Sequence, residues 1–376
     1  MHSELLDWRG FLARPPLPEP PRKILDDLAH SPALITGAGG SIGSALAIRL
    51  ARAGHPGLVL LDSSESSLVE LQHLLRSRQP IRRNRSASSR SSGEPTLHLG
   101  DARDAGALGE LFARHRPQIV FHAAAYKHVP FLEEHPLAAI SNNIFATEVV
   151  AGAAAEHHAH VVLLSTDKAV EPASVMGATK RVAEEIVLAH GGAVLRLGNV
   201  LGSSGSVSEV FARQIANGEA LTVTHPDARR YFLTLDEAVN LLLFASADRD
   251  RGSILVPDLP NQHSVAELAA FMARALAPER EIPVEFIGLR PGDKLEERLW
   301  SSSEHARPLA AGGLLLIQAA QPDPARFACR LAALQASVRV GDLAAALADV
   351  SALVPGFRPG RADPSPMNSS RERACV

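Results

Sequence analysis

An apolar tetrapeptide, Ala33-Leu34-Ile35-Thr36, runs straight into Gly37-Ala38-Gly39-Gly40-Ser41-Ile42-Gly43. The apolar run reads as a buried strand, and Ser41–Arg52 as the helix that follows. Glycines at this spacing between a strand and a helix leave few alternatives. Gly37 permits a tight turn, Gly40 lets the backbone approach a diphosphate, and Gly43 lets helix and strand pack closely. The helix N-terminus offers free N–H groups and a favourable dipole to an anion. A strand over 57–61 then ends at Asp62, 19 residues beyond Gly43. An acid there can accept hydrogen bonds from an adenosine ribose, so the turn reads as a dinucleotide site. Asp62 would repel a 2′-phosphate, and Ser63 and Ser64 supply no guanidinium to receive one, which favours NAD over NADP.

The alternation continues. Strands are expected over 96–99, 118–122, 160–164 and 193–197, with helices between them, the first over about 64–77. That pattern implies a Rossmann-type, doubly wound parallel α/β sheet spanning residues 31–198. Asp101 and Ala102, after the third strand, are placed to meet the adenine. Ala123, Ala124 and Ala125, after the fourth, allow close passage of the cofactor. Beyond Gly198 the pattern loosens: helices near 206–217, 235–247 and 264–276 alternate with short strands near 221–224, 253–256 and 284–287. Residues 199–357 are therefore expected to form a smaller substrate-binding lobe, completed by helices over about 324–335 and 341–350. Residues 1–30, with Pro15, Pro16, Pro18, Pro20 and Pro21, read as an extended arm. The stretch 358–376 reads as a disordered tail. Between 76 and 94 lies a polar insertion carrying Arg76, Arg78, Arg82, Arg83, Arg85 and Arg90 among serines. It reads as a solvated loop, with a phosphate or acidic-partner contact as the sharper alternative.

Composition narrows the function classes. Lys+Arg 38 against Asp+Glu 41 gives a net charge of −3, which argues against bulk attraction to nucleic acid or an anionic membrane. Only Cys329 and Cys375 are present, so no disulfide framework or cysteine metal site is expected. No basic-then-apolar leader precedes the arm, and no uninterrupted apolar run approaches the ~20 residues of a membrane span. A cytoplasmic location is the expectation. His157, His158 and His160 lack a carboxylate or a second pair at ligand spacing and read as a helix end, not a metal site.

The chemistry is expected just past the fifth strand, since functional groups in such sheets gather at the strands' carboxyl ends. There the chain presents Thr166, Asp167 and Lys168 in a row, and the next helix carries Lys180. The glycine turn, the acid after the second strand and this lysine resemble the extended short-chain dehydrogenase/reductases. That family uses Tyr-x-x-x-Lys, and here the tyrosine position is Met176. Tyr126 and Tyr231 are the only tyrosines, and neither has a lysine four residues on.

A narrower resemblance accommodates the methionine. Ser165–Val170, Met176–Lys180, Ala123–Pro130, Gly198–Ser206 and Gly288–Leu295 together resemble the polysaccharide-biosynthesis UDP-N-acetylglucosamine 4,6-dehydratases, over residues of about 30 to 300. Asp293 stands where that family more often has Glu. Many members carry a membrane-spanning N-terminal region, and this chain resembles the soluble catalytic portion alone.

The resemblance implies oxidation at sugar C4 by NAD, loss of water across C5 and C6, and hydride return to C6. It makes Asp167 the acid and Lys168 the base, puts Thr166 at the C4 hydroxyl, and sets Lys180 on the nicotinamide ribose beside Met176. The implied cofactor set is Gly37, Gly40, Ser41, Ile42, Gly43, Asp62, Ser63, Asp101, Ala102, Ala123, Ala124, Ala125 and Lys180. The implied substrate set is Lys127, Asn199, Arg230, Arg290 and Asp293. The expected partner is a nucleotide sugar, the expected assembly a homo-oligomer. Rival readings are a sugar-nucleotide 4-epimerase or dehydrogenase on the same scaffold, and a non-catalytic dinucleotide sensor suggested by the missing tyrosine.

Overall fold

The structure is a computed structural model, and it describes residues 6–77, 94–248, 252–309, 312–319, 322–360 and 373–374. Most of the insertion, 78–93, and most of the tail, 361–372 and 375–376, lie outside the described residues, so the readings of those segments do too.

Two short helices, α1 (Trp8–Leu12) and α2 (Arg22–Ala29), occupy the arm. The extended reading holds only for the prolines between them. Asp7 caps α1 by accepting from the Gly10 N–H at 3.0 Å, and Leu6 and Leu12 are buried against the lobe. The arm is pinned further on. Arg14 forks onto Glu237 at 2.6 and 2.9 Å, and the Leu17 N–H donates to the same carboxylate at 3.0 Å.

The sheet follows: β1 (Ala33–Thr36), α3 (Ser41–Arg52), β2 (Leu58–Asp62), α4 (Glu65–Ser77), β3 (Thr96–Leu99), α5 (Ala105–His115) and β4 (Ile119–His122). Then come α6 (Val129–Glu134), α7 (Pro136–Ile140), a π-helical turn over Ser141–Phe145, and α8 (Ala146–Glu156). β5 (His160–Thr166), α9 (Val175–Ala189) and β6 (Ala193–Leu197) complete the expected alternation. Successive residues of β1 serve opposite faces, Leu34 packing in one apolar cluster and Ala33 and Ile35 in another. His157 closes α8, His158 is left-handed with φ 56°, and His160 opens β5, as a helix end requires.

Residues 136–156 form one helical stretch of 21 residues, long and apolar enough to cross a membrane by length and composition alone. Half of its most apolar window is buried inside the fold, beside α5 and α9, so here it is a core helix.

The remaining elements are β7 (Asn199–Val200), α10 (Val207–Asn217), β8 (Leu221–Val223), β9 (Arg229–Arg230), β10 (Phe232–Leu233), α11 (Leu235–Ala247) and β11 (Ser253–Pro257). Then come β12 (His263–Ser264), α12 (Val265–Leu276), β13 (Val284–Phe286), β14 (His305–Pro308), β15 (Leu314–Gln318), α13 (Pro324–Arg339), α14 (Leu343–Leu353) and β16 (Arg373–Ala374). The sheet does not stop at 198. β11, expected in the lobe, pairs parallel with β6, and β15 and β14 add antiparallel strands beyond it. The order among the described residues is β14-β15-β11-β6-β5-β4-β1-β2-β3. The cause is composition: Ile254, Leu255 and Val256 are buried on both faces, which only a sheet interior provides. α11 lies with α3 on one face, whereas α14 packs with α9 on the other. The lobe proper is smaller, with α10 and α12 against β8 and β13 around Phe211, Leu221 and Met272.

Glu237 closes a capping box at α11 as well as holding the arm. Burial raises its pKa, but Arg14 and the Thr234 and Leu17 N–H groups outweigh that and hold it below the usual range. Its contribution to stability is therefore present at neutral pH and lost as the pH falls through that depressed value. Glu237→Ala should cost about 2–4 kcal/mol and release the arm to proteolysis. An unchanged melting temperature with a protected arm would contradict this.

Candidate functional site

Gly37 has φ 68°, and a Cβ there would sit 2.5 Å from the Ala124 nitrogen. At Gly43 a Cβ would overlap the Gly37 carbonyl oxygen. The glycine turn thus lies directly against the segment after β4, with α3 pressed on the turn. Asp62 closes the cradle: Oδ2 accepts from the Gly39 N–H at 2.9 Å and Oδ1 from the Ser64 N–H at 2.9 Å. Ser63 is exposed beside it, and Ala102 is buried. Ser41 Oγ accepts from the Ser204 N–H at 2.8 Å, so a loop of the lobe touches the start of α3. Asp101 is engaged by Arg103, whose guanidinium also reaches Ser141. The cradle fits a dinucleotide: its walls are backbone that side chains at Gly37 and Gly43 would fill, and its donors surround a helix start.

Behind the cradle is a chain of buried polar groups. Thr147 Oγ1 donates to the Asn143 carbonyl at 2.7 Å, which uses its one proton. His122 Nε2, 3.0 Å from that hydroxyl, therefore carries the hydrogen, and His122 Nδ1 accepts from Thr36 Oγ1 at 2.6 Å. Burial, then the Lys180 charge, lowers the His122 pKa to about 3, so the ring is neutral. Asn143, in the π-helical turn, accepts from the Tyr126 N–H at 2.8 Å and donates to Thr179 at 3.1 Å. It joins the segment after β4 to α9. Sequence reading missed this brace; two polar residues, Asn142 and Asn143, within an apolar helix were its only signal.

At the β5 exit the three expected groups meet. Asp167 is fully buried, and its Oδ1 accepts from Thr166 Oγ1 at 2.9 Å and from Lys168 Nζ at 2.9 Å. Its Oδ2 is buried without a hydrogen-bond partner. Lys168 Nζ also donates to Asn199 Oδ1 at 3.1 Å, which ties the turn to β7. Ser174 caps α9, and a Cβ at Gly177 would overlap the Lys168 carbonyl, so α9 is seated on the turn. Met176 and Lys180 follow one turn apart, both buried. Lys180 Nζ donates to the Leu164 carbonyl at 2.7 Å.

The expected substrate residues lie on the lobe side, less uniformly. Arg290 Nε donates to Asp293 at 2.9 Å, so these two form a pair. Arg230 is buried, and its fork grips the Arg229, Leu295 and Lys294 carbonyls at 2.7–2.9 Å; it braces main chain. Lys127 is exposed overall, yet loss of water around its ammonium lowers its pKa, with the Glu209 charge opposing.

A buried charge cluster behind the β5 exit was also missed. Arg196 Nε and NH2 donate to Glu184, and NH1 and NH2 to Glu304, each at 2.9 Å. Its signal was an arginine in the middle of an apolar strand.

Burial lowers the Lys180 pKa to about 8 from 10.5, with Glu184 opposing. Between those values the folded chain binds fewer protons than the unfolded chain, so stability should rise with pH across that window. The gain is roughly 3 kcal/mol at most. Lys180→Met should remove that slope in chemical denaturation of the dinucleotide-free protein. Parallel curves for the two proteins would contradict it.

Residues 33–318 match the family described as polysaccharide biosynthesis protein. The capsular polysaccharide biosynthesis protein CapD of Staphylococcus aureus is 37% identical over 308 residues, 80% of this chain and 50% of the relative. The chain thus spans about half that relative's length. A UDP-glucose 4-epimerase of Rickettsia canadensis is 35% identical over 286 residues, 73% of this chain and 79% of the relative. Among solved structures, Pen from Bacillus thuringiensis is similar with a TM-score of 0.68 at 28% identity, over 78% of this chain and 88% of that one. The match covers the whole glycine cradle, the β5 exit and the Arg290–Asp293 turn, and the chain belongs to the polysaccharide biosynthesis protein family, on the extended short-chain dehydrogenase/reductase scaffold.

Proposed function

We propose that the chain is a nucleotide-sugar 4,6-dehydratase using NAD, with UDP-N-acetylglucosamine as the preferred substrate class. The observation that carries this reading is the Asp167–Lys168 pair, with one carboxylate oxygen bonded to the amine and the other buried and unpartnered. Simple oxidation or epimerisation at C4 needs one proton acceptor and no acid paired with it. Elimination across C5 and C6 needs the pair, because one proton must leave carbon as another reaches a departing oxygen.

A nicotinamide dinucleotide in the cradle would accept hydride from C4 and return it to C6. The backbone of Gly37–Gly43 would hold its diphosphate, Asp62 its ribose, and Lys180 the ribose next to the nicotinamide. Thr166 orients the C4 hydroxyl. Lys168 then takes the C5 proton, and Asp167 protonates the C6 oxygen as water leaves. The 2.9 Å contact between them lets the proton gained by Lys168 pass to Asp167, which resets the pair. The proton released at C4 leaves to solvent past the partly exposed Thr166, and one proton returns from solvent to C5 when the double bond is reduced. Met176 is buried and cannot exchange a proton, so it takes no part in these transfers. Asn199, Arg290, Asp293 and Lys127 would receive the nucleotide diphosphate and its ribose, Arg290 through a fork suited to phosphate. Arg230 would contribute by fixing the main chain around Lys294.

Incubation with a panel of nucleotide sugars in deuterated water, followed by mass spectrometry, tests the reading. The expected product is lighter by one water and carries solvent deuterium at C5. Asp167→Asn and Lys168→Ala should each slow its formation by about 10²–10⁴-fold with the dinucleotide still bound. An isomer of unchanged mass would favour the epimerase reading, supported by the Rickettsia relative's description.

A further inference from the structure

The acid–base turn is tied on both sides to one segment of the lobe, upstream through Glu184 and Arg196 and downstream directly. Upstream of Asp167, Ser165 Oγ donates to Glu184 Oε1 at 2.6 Å. Ser165 lies beside Arg196 in the β5–β6 register, and Arg196 joins Glu184 to Glu304. Glu304 is held in turn by the Ser301 N–H at 2.8 Å. Downstream, Lys294 Nζ donates to the Val170 carbonyl at 2.8 Å, and Arg298 pairs with Glu171 at 3.5 Å. Glu171 is a non-glycine residue at φ 44°; its contact with Arg298 is largely exposed, so Lys294 carries this end of the grip. Residues 294–304 therefore clasp both ends of the turn carrying Asp167 and Lys168, and they continue directly from the Arg290–Asp293 pair.

The electrostatics fit a positioning role better than a stabilising one. Arg196 and Glu184 are fully buried, and Glu304 is nearly so. Burial works against each charge. Glu184 and Glu304 nonetheless hold Arg196 above its usual pKa, and Arg196 holds both carboxyls below theirs. Apolar side chains of similar volume commonly stabilise such a site as well or better. What a bidentate fork supplies is direction. A displacement of about 1 Å in a reacting group can cost on the order of 10²-fold in rate.

Granted the dehydratase reading, on which this rests, we propose that Ser165, Glu184, Arg196 and Glu304 are positioning residues that set the Asp167–Lys168 turn against the Arg290–Asp293 pair at the head of segment 290–304. Water elimination depends on them more steeply than oxidation at C4, because only elimination needs both members of the pair in place.

The test compares the full chain with Ser165→Ala and Glu304→Gln, using a nucleotide sugar that the wild type dehydrates. Ultraviolet absorbance of the reduced cofactor follows oxidation, and mass spectrometry follows the product lighter by water. Melting temperature and bound dinucleotide are measured alongside. In both variants oxidation should stay within about 3-fold, while elimination slows by roughly 10–100-fold and reduced cofactor accumulates. Ser165→Thr, which keeps the hydroxyl, should recover most of the loss. Equal slowing of both steps, or no slowing, overturns the proposal. Should Glu304→Gln fail to fold, Ser165→Ala decides alone, since it removes one hydrogen bond. If the wild type itself gives no lighter product, the dehydratase reading fails and this proposal with it; the wild-type control separates that outcome from failure of the positioning role.

Discussion

A guanidinium in the interior of a parallel sheet must be matched by carboxylates before the strands around it can close. Arg196 sits in β6 with no exposed surface, and Glu184 and Glu304 reach it from different parts of the chain. Glu184 comes from α9, which also carries Met176 and Lys180. Glu304 comes from the segment that leaves the lobe and returns to the sheet as β14. Neutralising this one charge thereby fixes the helix behind the β5 exit and the segment in front of it. The energetic stake is asymmetric. Losing Arg196 would leave the buried Glu184 and Glu304 with Arg181 alone to answer them, at a cost of about 3–5 kcal/mol, whereas the complete cluster gains little over apolar packing.

The same economy governs the rest of the site. Polar groups behind the cradle are paired in a line from Thr36 through His122 and Thr147 to Asn143, so the ring of His122 has one tautomer and no charge. Among the atoms of the β5 exit, Asp167 Oδ2 departs from that rule. A buried acceptor without a donor costs free energy in the resting protein. A ligand hydroxyl that supplies the missing donor would remove that cost.

Much of this was legible in the residues. Gly37, Gly43 and Asp62 announce the cradle because each answers a backbone need at a fixed place between strand and helix. The six strands up to Leu197 stand out through short apolar runs with turn residues between them. Thr166, Asp167 and Lys168 fall together because they are contiguous. The illegible parts are those made by distant pairing. Ile254–Val256 reads as a strand, but nothing in its own residues says which strand it will join. Arg230 looks like a phosphate ligand until the carbonyls of Lys294 and Leu295 occupy its fork. The helices of the arm were hidden by the prolines between them, and the stretch that joins them is held by Glu237, more than two hundred residues away.

The path of the chain after β6 has a consequence for the molecule as a piece of engineering. It leaves the sheet into the lobe, comes back as β11, goes out again through α12 and β13, and returns as β14 and β15. A lobe stitched to its base by four crossings is not a cassette that can be exchanged for another by cutting at two points. A fragment ending after Leu197 would leave β6 as an uncovered apolar margin, a template for self-association. New specificities on this scaffold are therefore more accessible through replacements inside the lobe's loops than through transplanting the lobe whole.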